Sequence, residues 1–262
     1  MPRQRGFTLV EMVIVVVILA IVAAISVVIV RQSAQSLVDS GARQRLATNA
    51  GLINQQVSRA LREALPGSIR VFAGNSCIEF MPIVAASRYT QLSVGDAITQ
   101  FSAFSYGTEQ AGRVAVYPLP GGNLYALNNP GPLTNAIATL PAGNEVVVNL
   151  AAAHTFPVDS PSRRFFLVAT PQTFCQQGSF LYHYQNYGTL ANSGNVVAAL
   201  PSTEAAGRRV MGAGLTVDSL TFRVTPPTLQ RNGVVTFEYQ LQDAANQETL
   251  NVVQEVQYRN VP

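Results

Sequence analysis

The sequence predicts an α+β layout: a long N-terminal helix packed on a C-terminal antiparallel β-rich globular domain. Three observations predict it. Met12 to Val30 is a run of Val, Ile, Ala, Leu and Met broken only by Ser26. From Arg31 to Leu65 apolar residues recur at three- and four-residue steps. From Ser68 onward the texture changes to short β-type runs separated by Gly, Pro, Asn and Ser.

The apolar run comes first. At about 1.5 Å rise per residue it spans roughly 28 Å, close to the hydrocarbon core of a bilayer. No comparable run follows, so a single membrane crossing is expected. Two ordinary readings compete: a cleaved secretory signal with small residues near Val22-Ala23-Ala24, or a plain signal anchor. Glu11 fits neither, because an acid deep in a membrane helix costs about 3 kcal/mol and marks a functional position.

The second half of the helix is read from its period. Ala34, Leu37, Val38, Ala42, Leu46, Ala50, Ile53, Val57, Leu61 and Ala64 form one stripe, with Gln, Arg, Ser and Asn opposite. Pro66-Gly67 stops it, since Pro cannot continue the ladder and Gly suits the exit. The helix from Thr8 to Leu65 would be about 87 Å long. Gly41 and Gly51 each lower its stability by about 1 kcal/mol relative to Ala, which predicts bending or melting there.

The strands follow in order. Ile69–Phe72 and Cys77–Met81 read as a first pair, then Arg113–Tyr117, Glu145–Asn149, Arg164–Val168 and Phe180–Tyr184. Leu215–Val224, Val234–Leu241 and Leu250–Tyr258 read as a meander, with turns at Gln230–Gly233 and Asp243–Asn246. Pro118–Pro141 and Asn186–Gly214 read as long loops. No linker divides the chain after residue 66. The expected organisation is therefore a membrane-spanning half-helix ending at residue 30, an amphipathic half-helix over 31–65 and one globular domain over 66–262.

Composition narrows the function. Charged residues are 12% of the 262, against about 25% in an ordinary globular chain. All seventeen basic residues are Arg, and the net charge is only +3. That excludes a nucleic-acid binder held by a general basic field. With two histidines, His154 and His183, the chain offers no His pair at metal-ligand spacing, no nucleophile elbow and no phosphate-cradling Gly motif. No catalytic residue, metal ligand or cofactor is expected. Arg163-Arg164 and Arg208-Arg209 read as solvated surface; Asp243 to Glu248 reads equally as a Ca²⁺ loop or a hairpin turn.

A basic leader, Met1 to Gly6, directly precedes Gly6-Phe7-Thr8-Leu9-Val10-Glu11. This resembles the type IV prepilin signature. The resemblance implies that a prepilin peptidase cuts between Gly6 and Phe7 and that Phe7 becomes the N-methylated N-terminus. It thereby implies a leader at 1–6 and starts the membrane-spanning half-helix at 7 (7–30). It also implies that Glu11 is the membrane-embedded acid of assembly. A Glu11 carboxylate about 4 Å from a neighbouring subunit's Phe7 amine would gain about 4 kcal/mol at an effective dielectric near 20. That offsets the burial penalty. Ala20 and Val28 stand where many pilins carry a helix-loosening Gly and a kinking Pro.

Shorter motifs run further along. Cys77-Ile78-Glu79-Phe80, Ala86-Ser87-Arg88-Tyr89, His154-Thr155-Phe156-Pro157, Arg164–Val168 and Arg259-Asn260-Val261-Pro262 resemble minor pilins of the mannose-sensitive haemagglutinin (MSHA) pilus. The J-type minor pseudopilins of type II secretion are similar in layout, and a tip adhesin is a further reading. The resemblance implies a single-pass protein of the bacterial inner membrane with a periplasmic domain, placed at the pilus tip after assembly. Implied partners are prepilin peptidase, other minor and major pilins met through the N-terminal helix, the inner-membrane assembly platform and membrane lipid, with no nucleic acid. In an oxidising compartment the two cysteines, Cys77 and Cys175, are expected to form a disulfide. Two free buried thiols are the alternative.

Overall fold

The computed structural model describes residues 8–105, 107–119, 122–227, 231–244 and 247–258. The leader, the cleavage position at Gly6 and Phe7, the ending Arg259–Pro262 and parts of both meander turns lie outside them.

Helix α1 runs unbroken over Leu9–Arg62, about 81 Å at 1.5 Å per residue. It stays helical through both Gly41 and Gly51. Gly51 faces open space and Gly41 has only the Arg45 guanidinium near it, so neither site carries a packing demand that would bend the helix. Glu63 caps the C-terminus, its N–H donating to the Arg59 and Leu61 carbonyls. The chain then turns at Gly67, whose φ of +79° is the left-handed conformation that only Gly adopts freely.

The helical stripe divides in two. Ala42, Leu46, Ala50, Ile53, Val57 and Leu61 are buried. Ala34, Leu37 and Val38 remain exposed, so the globular domain grips the helix only from Ala42 onward. Residues 31–41 form a bare stalk between that domain and the apolar run.

Two sheets face the gripped half. The first has the order β1-β2-β9-β10-β11, from Arg70–Phe72, Cys77–Phe80, Gln172–Gln177, Phe180–Tyr184 and Arg208–Ala213. The second is the meander β12-β13-β14, from Thr221–Thr225, Gly233–Gln242 and Thr249–Tyr258. Helix α1 packs on β11, β13 and β14. One core joins Leu46, Ile53 and Leu61 of the helix to Ile78, Phe80 and Phe174 of the first sheet and Phe222, Phe237 and Leu241 of the second. The Tyr239 hydroxyl reaches the helix too, donating to the Ala50 carbonyl or the Asn54 Oδ1 at 3.2 and 2.9 Å.

Between β2 and β9 the chain builds a six-stranded closed barrel of order β3-β4-β7-β6-β5-β8. Its strands are β3 (Ile83–Gln91), β4 (Ala97–Phe104), β5 (Gln110–Val116), β6 (Ala138–Leu140), β7 (Glu145–Thr155) and β8 (Arg164–Val168). The interior is filled by side chains, among them Tyr89, Phe101, Val114, Val148, Phe165 and Leu167. Phe101 and Phe165 meet edge to face at 5.2 Å. The barrel is joined where α1 ends: the Ile83 N–H donates to the Glu63 carbonyl at 2.9 Å and the Leu65 N–H to the Met81 carbonyl at 2.8 Å.

The α+β class and the meander stand as expected, and the strand pairs beginning at residues 70 and 77 are antiparallel neighbours. Three expectations change. The first meander strand is confined to Thr221–Thr225, because Leu215 instead bridges to Leu241. The expected loops Pro118–Pro141 and Asn186–Gly214 contain β6, β11 and a short helix α2 (Val196–Ala199). The helix expected to bend or melt at Gly41 and Gly51 is continuous through both.

Candidate functional site

The head of α1 is set by local chemistry. Thr8 is the N-cap, with extended φ and ψ, and its Oγ1 accepts the Glu11 N–H at 3.3 Å. Thr8 and Glu11 thus hold the spacing of a capping box, in which hydroxyl and carboxylate satisfy the free N–H groups of the first turn. The helix dipole favours a negative charge at the same place. Glu11 is therefore presented in the first turn of the helix.

From Leu9 to Val30 every residue is exposed. Among the described residues α1 is the one helix long and apolar enough to cross a membrane, and none of its apolar window is buried. Ser26, the single polar interruption, donates its hydroxyl to the Val22 carbonyl at 2.8 Å. It therefore presents no unsatisfied group to lipid.

Where the helix enters the globular domain, the β13–β14 turn clasps it. Arg43 Nε donates to Glu248 at 2.5 Å and Arg45 to Asp243 at 2.9 Å. The Ca²⁺ reading of Asp243–Glu248 gains no support from this geometry. Both carboxylates turn toward the helix, and no three His, Cys, Asp or Glu side chains among the described residues converge on a metal-sized space.

Cys77 and Cys175 form a disulfide between β2 and β9, where they are directly paired in register. These strands flank the barrel insertion, so the bond closes its neck.

The sequence reading missed a polar network beside the disulfide. Glu79 is fully buried; its carboxylate accepts Arg70 Nε at 2.5 Å and the Tyr187 hydroxyl at 3.1 Å. Thr173 donates in turn to Tyr187 at 2.7 Å. Burial pushes the Glu79 carboxyl up, and the Arg70 guanidinium and Tyr187 hydroxyl pull against that shift. Arg70 also donates to the Leu190 and Ala191 carbonyls at 2.7 and 2.9 Å and lies 3.5 Å over the Tyr125 ring. This pins the 186–200 segment to the first sheet. A signal existed in the sequence: Arg70 and Glu79 are symmetric about the Ala73–Ser76 turn and pair in register.

The histidines serve the fold. His154 is buried in the barrel, its Nε2 2.8 Å from the Gly131 carbonyl and its ring against Phe156. His183 Nε2 lies 2.8 Å from Gln172 Oε1. Burial, with Arg209 nearby, lowers its pKa to about 4. Arg208 stacks 4.8 Å over Tyr182.

A long helix with an unburied apolar half and an acid in its first turn, followed by a β-rich domain, is a pilin-like α+β fold and is consistent with a membrane-anchored protein. Comparison with known families makes this more specific: residues 1–27 match the prokaryotic N-terminal methylation motif, the type IV pilin-like signature. That motif supports a pilin or pseudopilin, and implies processing by prepilin peptidase and association with other pilins. Neither the curated proteins nor the solved structures gave a match.

Proposed function

We propose that this chain is a minor type IV pilin of the MSHA kind, most similar to MshO, that initiates or caps pilus assembly rather than catalysing a reaction. Prepilin peptidase cuts between Gly6 and Phe7, and Phe7 is N-methylated. The mature helix stays in the inner membrane with residues 66–262 in the periplasm until assembly draws it into a fibre.

The observation that carries this reading is Glu11 in the capped first turn of a helix whose apolar half is wholly exposed, within a matched methylation motif. In lipid no hydrophobic drive brings helices together, so a polar attraction adds directly to van der Waals packing in joining subunits. Glu11 and a neighbour's Phe7 amine supply it. The barrel supports a terminal place in the fibre: it is joined at the end of α1 farthest from the apolar run. Bulk at that level obstructs the next subunit in a helical stack.

Intact mass of the chain from a strain with prepilin peptidase tests the reading. The expected result is loss of Met1 to Gly6 and gain of one methyl on Phe7, with Gly6→Val blocking both. A chain that begins near Ile25 would mean an ordinary signal peptide and overturns it.

A further inference from the structure

A cleft of about 560 Å³ lies where the end of α1, the barrel and the second sheet meet. Its floor is apolar, from Ala64, Pro66, Ile83 and Phe166, and Arg62 and Arg164 stand at its walls. Arg164 faces a third arginine. In the β3–β8 pair Arg88 is directly opposite Arg164, next to the Ala86–Phe166 pair that lines the cleft. Like charges in that relation destabilise a sheet. No carboxylate relieves them: Arg62, Arg88 and Arg164 make no ion pair and no side-chain hydrogen bond among the described residues. The nearby Glu63 is engaged by Arg59 at 3.1 Å. By contrast, Arg43 and Arg45 at the hairpin turn and Arg70 on the first sheet each hold an acid.

We propose that this cleft is the docking site for an acidic-apolar segment of a neighbouring subunit, with Arg62, Arg88 and Arg164 taking its carboxylates and Phe166 and Ile83 its apolar side chain. Charge complementarity selects the occupant. Guanidinium forks bind carboxylate bidentately, and the apolar floor is left wet by a bare inorganic anion but covered by a Leu or Phe beside the acid. Arg62 belongs to the helix and the other two to the barrel, so one bound segment would tie the barrel to the stem. The site rests on the reading of the chain as a subunit that assembles with others.

The test has two arms. In the first, the full chain in detergent micelles is melted with acetyl-Asp-Asp-Phe-amide, with acetyl-Asn-Asn-Phe-amide or with inorganic phosphate at equal ionic strength. The diacidic peptide should raise the thermal midpoint, the amide peptide should not, and Arg62→Gln with Arg164→Gln should abolish the rise. Without peptide, Arg88→Gln should raise the midpoint by relieving the facing charges. A rise equal with phosphate would make this a small-anion site only and overturns the proposal, as does no rise with any probe. In the second arm a photo-crosslinking residue replaces Ala86 in cells. Its adduct should lie within a few residues of an Asp or Glu of another subunit and disappear with Arg62→Glu and Arg164→Glu. An adduct that survives reversal, or one in a stretch without acids, overturns it. The mass of the same band reports leader cleavage: an uncleaved chain that still binds the diacidic peptide would refute the pilin reading while leaving the cleft standing.

Discussion

Gly212 on β11 is where α1 comes closest to the first sheet. A Cβ there would stand 2.5 Å from Ile53 Cδ1 and 2.6 Å from Cγ1, well inside carbon–carbon contact. Ile53 is 1% exposed and is held among Ala50, Val57 and Tyr239 in the same core. A β-branched side chain has little χ1 freedom in a helix, so the clash must be met by moving backbone. Gly212→Ala should cost about 2 kcal/mol, in the range of overpacking. Ile53→Ala alone should cost roughly 3 kcal/mol through lost burial and a cavity. Together they should not add: the new methyl enters the space that Ile53 leaves, and the double variant should fall short of the sum by about 1–2 kcal/mol. The assay is urea unfolding of the full chain in micelles followed by near-UV circular dichroism of its tyrosines. Gly51→Ala is the control. With open space at that position, it should stabilise by about 1 kcal/mol. Additivity within about 0.5 kcal/mol would refute the argument, because uncoupled sites behave that way.

Further outcomes follow from the other features. Glu11→Val should leave insertion and leader cleavage intact while fibre number, counted by electron microscopy, falls; normal fibre number would remove Glu11 from assembly. Reduction of Cys77–Cys175, 98 residues apart in sequence, should lower the thermal midpoint, since the chain-entropy model assigns a loop of this size up to about 4.7 kcal/mol. Two titratable thiols in unreduced, unfolded protein would refute that bond. His183 has a folded pKa of about 4, below the ordinary 6.5. As pH falls from 6.5 toward 4 the unfolded chain takes a proton that the folded chain refuses, so stability is lost across that window, by about 3 kcal/mol at most. His183→Gln should remove that part of the acid sensitivity in midpoint-against-pH curves, and identical curves would show that His183 does not titrate in this way.

The elements with strong periods were legible. The stripe from Ala42 to Leu61 and the alternation of β13 come directly from which face each residue buries. Of the barrel, β5, the first half of β7 and β8 were legible, whereas β3, β4 and β6 use weak signals. β3 is rich in Ala and Ser, and β4 mixes polar residues into Ala97–Phe104. β9 lies at the centre of a sheet yet has Gln at three of its six positions. Closure into a barrel depends on long-range pairing that no local pattern announces. At the head of the helix the motif named Glu11, but the cap that presents it follows from Thr8. The polar network around Glu79 was hidden for a different reason: Tyr187 and Thr173 reach it from strands and loops far along the chain.

The disulfide has a mechanical meaning that follows from where it closes. When a fibre is pulled, tension that enters a subunit through α1 and leaves beyond β9 can cross from Cys77 to Cys175 through the covalent bond. The residues between them, with all six barrel strands, are bypassed. Stretching the subunit would shear or peel the sandwich while the barrel bears none of the force. A surface built on the barrel therefore keeps its shape under a load that deforms the rest.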